Sequence, residues 1–189
     1  MINWSAMKKP QILKVQEDLS IPWFKQIKKT VLFANDPRPQ MFYSIKPPDY
    51  VTVLVQTRDK KVIILKQFRP SVEDYTFELP SGHVEKGETH SQAVIRELKE
   101  ETGCMAKDAI LLGEVIPDTG RLENRLWAYY INDVETGDFP EPENDEGIEV
   151  HLVSCEELFH MIENGKFNHA LDLSVIMLAI LKKHLKVPF

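Results

Sequence analysis

The feature that most restricts how this chain can fold is a glycine-bracketed helix former, GHVEKGETHSQAVIRELKEETGC, at positions 82–104. Between 89 and 102 there is no Pro or Gly, and Ala, Leu, Glu, Lys, Arg and Gln dominate, so local preference favours a helix. Gly82 and Gly87 precede that run and Gly103 follows it, where glycine serves as loop residue and C-terminal stop. The element reads as loop, helix, stop.

At about 100° per residue, Glu100 and Glu101 fall on either side of Glu97 and within about 60° of it, with Ala93 one turn back on the same face. Val94, Ile95 and Leu98 gather on a different face, so the helix can bury its aliphatic side while aiming three carboxylates elsewhere. Like charges three and four residues apart repel by a few tenths of a kcal/mol each, so this cluster calls for a countercharge. A hard divalent cation supplies one: Mg²⁺ or Mn²⁺ takes oxygen ligands, keeps several waters, and bridges carboxylates to a substrate's phosphates. The alternative is a solvated acidic face, because charge runs commonly lie on the surface.

The wider spacing bears on that choice. Gly82, five residues, Glu88, seven residues, then Arg96, Glu97, Leu98, Lys99, Glu100, Glu101, Thr102 and Gly103 resembles the Nudix box, and the chain looks like a Nudix hydrolase. Cys104 stands where that family usually has an aliphatic residue, a role a buried free Cys fills as a small hydrophobe. Gln67, Phe68, Arg69 and Pro70, followed by Glu78, Leu79, Pro80, Ser81 and Gly82, are similar to the ADP-ribose pyrophosphatase branch, a pattern shared with hydrolases of other nucleoside diphosphate sugars.

The resemblance implies an α/β protein: a Nudix α/β/α sandwich around a mixed sheet at 48–189, preceded by a short β-rich N-terminal arm at 1–47 that serves dimerisation or the substrate site. It also implies Mg²⁺-dependent hydrolysis of a pyrophosphate linkage, foremost that of ADP-ribose to AMP and ribose 5-phosphate, with Mn²⁺ as a possible substitute. Glu97, Glu100 and Glu101 would hold the metal with the Ser81 carbonyl, and Arg69 would lie near the substrate's phosphates. Arg96 and Glu88 would orient the loop and the ligands, while Arg121 and Glu123, on the loop 118–124, would border the substrate. Glu146, at the entry to the last strand, would act as catalytic base or extra metal ligand, with Glu143 and Asp145 as alternatives. The residues alone leave other readings open. Arg69 could form a surface salt bridge with Glu73 or Asp74, and 118–124 could be an ordinary polar loop. The substrate could be a UDP-sugar, GDP-mannose or a dinucleoside polyphosphate. A non-catalytic nucleotide-binding module would be expected to lose box carboxylates, and every one is present.

Composition bounds the rest. With 189 residues and 43% hydrophobic content, one domain with a proper core and some extra structure is expected. A net charge of −6 argues against binding nucleic acid or membrane through a general basic surface. Two Cys, Cys104 and Cys155, make no disulfide framework and suit a reduced cytoplasmic setting. Lys8 and Lys9 lack the apolar run of a signal peptide, and the longest apolar run, 175–181, is too short to span a bilayer. The histidines are scattered without ligand spacing, so zinc is not expected. Strands are expected at 11–17, 24–33 and 41–45 in the arm, then at 50–56 and 61–67 as a hairpin, and at 109–116, 126–131 and 148–153. Ser154 with Glu157 forms a capping-box pattern opening a helix that should stop at Gly165, and 171–185 reads as an apolar helix packed across the sheet.

Overall fold

A computed structural model describes residues 11–21, 24–135 and 147–187. The acidic stretch with Glu143, Asp145 and Glu146 lies outside those residues. The chain divides into two compact units, Met1–Pro48 with Pro117–Asn124, and Asp49–Ile116 with Arg125–Phe189.

In the first unit, Gln11–Ile21 (β1), Phe24–Leu32 (β2) and Gln40–Lys46 (β3) form an antiparallel sheet in the order β1-β2-β3. β2 buries Ile27 and Val31, four residues apart and therefore on one face of the strand. The turn before β3 is tied by Asp36, whose carboxylate accepts the Arg38 N–H at 3.0 Å. Residues 117–124 attach to β3 through Ile45, which donates its N–H to the Arg121 carbonyl and accepts from Glu123 N–H, at 2.8 and 3.0 Å.

The second unit comprises Tyr50–Thr57 (β4), Val62–Arg69 (β5), Asp74–Glu78 (β6), Ser81–His83 (β7), His90–Thr102 (α1), Ile110–Val115 (β8), Leu126–Val134 (β9), Glu149–Val153 (β10), Cys155–Glu163 (α2) and Ala170–Leu181 (α3). Its sheet runs β10-β5-β4-β9-β8, with β6 on β5 and β7 on β4. The β4–β9 pair is parallel and the others antiparallel, so the sheet is mixed. Side chains alternate across it. Val51, Val53 and Val55 of β4 and Tyr129 and Ile131 of β9 pack with Ala93, Val94 and Leu98 of α1. Leu54, with Leu126, Ala128 and Tyr130, joins the opposite core, containing Leu158 of α2 and Val175, Ile176 and Ala179 of α3. Two apolar layers thus flank one sheet, the α/β/α sandwich expected from the resemblance.

The 50–56 and 61–67 hairpin needs correction. β4 and β5 share one registered pair, Gln56↔Val62, and then diverge. The chain from 74 to 83 enters the opening, first as β6 against β5, then as β7 against β4. The change of partner falls at Leu79 and Pro80, where proline offers no N–H to a ladder. The Pro80 carbonyl accepts Val53 N–H at 2.9 Å, and Leu79 N–H donates to Oδ2 of Asp172 on α3 at 2.8 Å.

Helix ends follow local chemistry. Thr89 and Gln92 form a reciprocal capping box on α1, and Gly103 closes it in the left-handed region at φ 69°. Ser154 and Glu157 do the same for α2, and Gly165 adopts φ 74° just past its end. α3 stops at Leu181, short of the expected 185, because Lys183 turns to φ 63° and the next amides fold back on Ala179. Among the described residues no helix is long and apolar enough to cross a membrane.

Candidate active site

The acidic face of α1 meets the β7 turn, and each carboxylate has its own surroundings. Ala93 is fully buried, and Glu97 and Glu101 follow it at four-residue steps, so this ridge points towards the turn. Glu97 has a side chain only 14% exposed, whereas that of Glu100 is 57% exposed. Glu101 accepts the Ser81 N–H at 2.9 Å through Oε2.

Arg96 organises the outer side. Its guanidinium makes two bonds to the Glu88 carboxylate, both at 3.0 Å, and reaches Glu97 at 2.8 Å, Glu100 at 2.9 Å and the His83 carbonyl at 2.9 Å. One planar fork therefore joins three carboxylates to the backbone of the turn. Glu88 also accepts Glu85 N–H at 3.1 Å, which fixes the loop between. The Arg96 guanidinium holds the Glu88 carboxyl below its usual range, and Glu88, before the other acids, raises the Arg96 pKa.

The inner carboxylates carry less compensated charge. Burial raises Glu97 even against Arg96. Burial likewise pushes Glu101 up to about 8, with only the Ser81 N–H and more distant Arg69 opposing it. Gly82 makes the approach possible: a Cβ there would stand 1.9 Å from Cδ of Glu97.

Arg69 and Glu78 form a clamp nearby. Nε and Nη2 of Arg69 contact Oε1 and Oε2 of Glu78 at 2.8 and 2.5 Å, and the Thr76 hydroxyl bonds Oε1 at 2.6 Å. Burial alone would raise the Glu78 carboxyl, but the Arg69 and Thr76 bonds outweigh it and hold it low. Arg69 thus pairs with Glu78 on the neighbouring strand. Arg121 pairs with Asp118, and Glu123 with Lys29 and Ser44, all within the first unit. Glu146 lies outside the described residues.

Among the described residues no three His, Cys, Asp or Glu side chains are gathered as a metal cage. Glu97 and Glu100 instead turn to Arg96. The donor set nonetheless fits a hard divalent cation, because Mg²⁺ takes one or two protein carboxylates and completes its shell with water and substrate phosphate. Two largely buried carboxylates with raised pKa values, Glu97 and Glu101, are groups whose charge such a cation would stabilise. An open cleft of about 510 Å³ borders Arg96 and Glu100, but its lining includes neither Glu97 nor Glu101.

Three features escaped the sequence reading. His90, the first residue of α1, stacks on Trp127 at 4.1 Å and 7° and bonds the Tyr129 hydroxyl. Glu78 is the clamp for Arg69. Asp172 is a buried acid within an apolar helix, and that lone charge was the available signal.

A mixed sheet between helix layers, with an arginine-organised acidic helix against a glycine turn, defines a Nudix-type hydrolase fold. The NUDIX domain family model matches residues 46–171, and the chain belongs to that family. It is 30% identical over 143 residues to ADP-ribose pyrophosphatase of Bacillus subtilis, covering 75% of this chain and 77% of the relative. It is 24% identical to the ADP compounds hydrolase NudE of Escherichia coli across 92% of both chains. A crystal structure of an ADP compounds hydrolase superposes with a TM-score of 0.78 over 95% of this chain and 97% of the other, at 21% identity, a likeness of fold. The relationship read from the sequence, to Nudix hydrolases of the ADP-ribose pyrophosphatase branch, is the one these comparisons return.

Proposed function

We propose that this protein hydrolyses the pyrophosphate linkage of ADP-ribose, with water, to AMP and ribose 5-phosphate. The observation that carries the reading is the seating of two box carboxylates on the box turn, Glu101 on the Ser81 N–H at 2.9 Å and Glu97 against Gly82. The name of the Bacillus subtilis relative supports the substrate.

Glu97, Glu100 and Glu101, with the Ser81 carbonyl, would hold Mg²⁺, or Mn²⁺ in its place. The bound cation supplies charge neutralisation at the phosphate oxygens and a more acidic water. Arg96 holds Glu97 and Glu100 in place, with Glu88 as its counterweight. Arg69, braced by Glu78, would present a fixed positive charge towards the diphosphate. Glu146 would take the proton of the attacking water, with Glu143 and Asp145 as neighbours able to do so. Arg121 and Glu123 would contact the substrate. A cytoplasmic homodimer, with the arm at 1–47 contributing to its interface, completes the proposal.

A second reading keeps the chemistry and changes the nucleoside or the sugar, supported by the relatives named for ADP-sugar and other ADP compounds. Mass detection of products from a panel of nucleoside diphosphate sugars, with Mg²⁺ or with chelator, tests both. AMP and ribose 5-phosphate appearing from ADP-ribose only with the metal is the expected result. Preferred cleavage of a different diphosphate would replace the first reading by the second.

A further inference from the structure

Leu79, Pro80 and Ser81 are each held by a different element. Leu79 N–H donates to Oδ2 of Asp172 on α3, the Pro80 carbonyl accepts from Val53 on β4, and Ser81 N–H donates to Glu101 on α1. Leu79 pairs in neither the β5 nor the β4 ladder, because the chain is changing partner there. Its amide would be an orphaned buried donor without the Asp172 carboxylate, and such a donor is costly to leave unpaired.

Asp172 is an unusual residue for its position. It is 1% exposed within a helix of otherwise mostly apolar residues. Nδ1 of His169 lies 2.9 Å from the same oxygen that serves Leu79. Oδ1 has no partner among the described residues, nor has the buried hydroxyl of Thr52, which the alternation of β4 turns to the α3 side. A carboxylate retained at that desolvation cost, with one oxygen placed between the His169 ring and a backbone amide that has no other acceptor, has a defined task.

We propose that Asp172 is a positioning residue for the metal site: by fixing Leu79 at the strand change, it sets Ser81 and, through the Ser81 N–H, the orientation of Glu101. The inference rests on the metal-binding part of the proposed function and not on the identity of the substrate. The task needs an acceptor at that point, which Asn also supplies and Ala does not.

The test is Mn²⁺ binding to the full chain, followed by electron paramagnetic resonance, for the wild type, Asp172→Asn and Asp172→Ala, with circular dichroism confirming the fold. Asp172→Ala is expected to bind Mn²⁺ about 10–100-fold more weakly, the size of loss seen when groups supporting metal ligands are removed. Asp172→Asn should stay within about threefold of wild type, since it keeps the acceptor. Folded Asp172→Ala with wild-type affinity overturns the proposal, and so does an Asp172→Asn loss equal to that of Ala. A second measurement needs no variant: in metal-free wild type, the Leu79 amide should exchange with solvent as slowly as the β4 amides, and loop-like exchange overturns the proposal. A wild-type chain that binds Mn²⁺ but leaves ADP-ribose intact contradicts the substrate reading alone, whereas one that binds no Mn²⁺ overturns both.

Discussion

The carboxyl group of Glu97 fills the space that a side chain on Gly82 would need, since a Cβ there would meet Glu97 Cδ at 1.9 Å and Oε1 at 2.0 Å. Gly82 is thus required by proximity, not by backbone conformation. Gly82→Ala should displace Glu97, cost about 1–3 kcal/mol in denaturant unfolding, and weaken Mn²⁺ binding at least tenfold. Gly87 provides the contrast, with φ at +88° and open space around it. Gly87→Ala should cost about 1–2 kcal/mol through strain and leave Mn²⁺ affinity near wild type. Equal Mn²⁺ affinities in the two variants would contradict this account.

Arg96 bonds Glu88, Glu97 and Glu100 at once, through a fork that no ammonium can reproduce. Arg96→Lys should therefore lose most turnover despite keeping the charge, with kcat falling by about tenfold or more as Glu97 and Glu100 lose their common anchor. Steady-state kinetics at saturating Mg²⁺ decide the matter. A variant with unchanged kcat would place Arg96 outside the working parts.

Glu101, with its pKa pushed up to about 8, should make the metal-free protein sensitive to pH. In the unfolded chain this carboxyl ionises near 4.5, so between there and about 8 the native state binds more protons than the unfolded one. Its contribution to stability is full below the unfolded value and declines as pH rises to about 8. Divalent metal must displace that proton, so Mg²⁺ affinity should increase over the same interval. Glu101→Gln should flatten the stability profile and abolish Mg²⁺-dependent turnover. Chemical denaturation in chelator at several pH values, beside calorimetric Mg²⁺ titration, measures both.

Arg69→Met should destabilise the protein by about 1–3 kcal/mol, because Glu78 loses its strongest compensation while remaining 3% exposed. In the wild type the depressed Glu78 carboxyl contributes stability that is present above its unfolded value and fades as the solution becomes more acidic. The variant should show a weaker acid dependence. Identical acid-unfolding profiles for variant and wild type would remove the clamp from consideration.

What could be read from the sequence was what is decided locally. The run 89–102 and Gly103 mark out α1 within a turn of their own positions, and Ser154 with Glu157 opens α2. The wheel of α1 separates its buried face from its acids only in part: Val94 and Leu98 are buried and Glu100 is exposed, but Ala93 on the acidic face is fully buried and the Glu97 side chain is 14% exposed. The splayed strands were hidden because alternation shows which face a residue occupies and not which strand lies beside it. The same gap concealed the partner of Arg69. Cross-strand register places Arg69 opposite Asp74 and Leu65 opposite Glu78, so Arg69 reaches back along its own face, past Gln67 and Thr76. Asp74 meanwhile accepts the Tyr75 N–H at 2.7 Å. Asp172 needed the third dimension as well, because its partner lies 93 residues away in sequence.

The splaying of β4 from β5 gives the sheet a seam, stitched by the peptide units on either side of Pro80 and not by a continuous ladder. Stiffness at that seam is set jointly by helices on opposite faces, one pulling on residue 79 and the other on residue 81. A substitution that freed either residue would therefore slacken the seam for both strands at once.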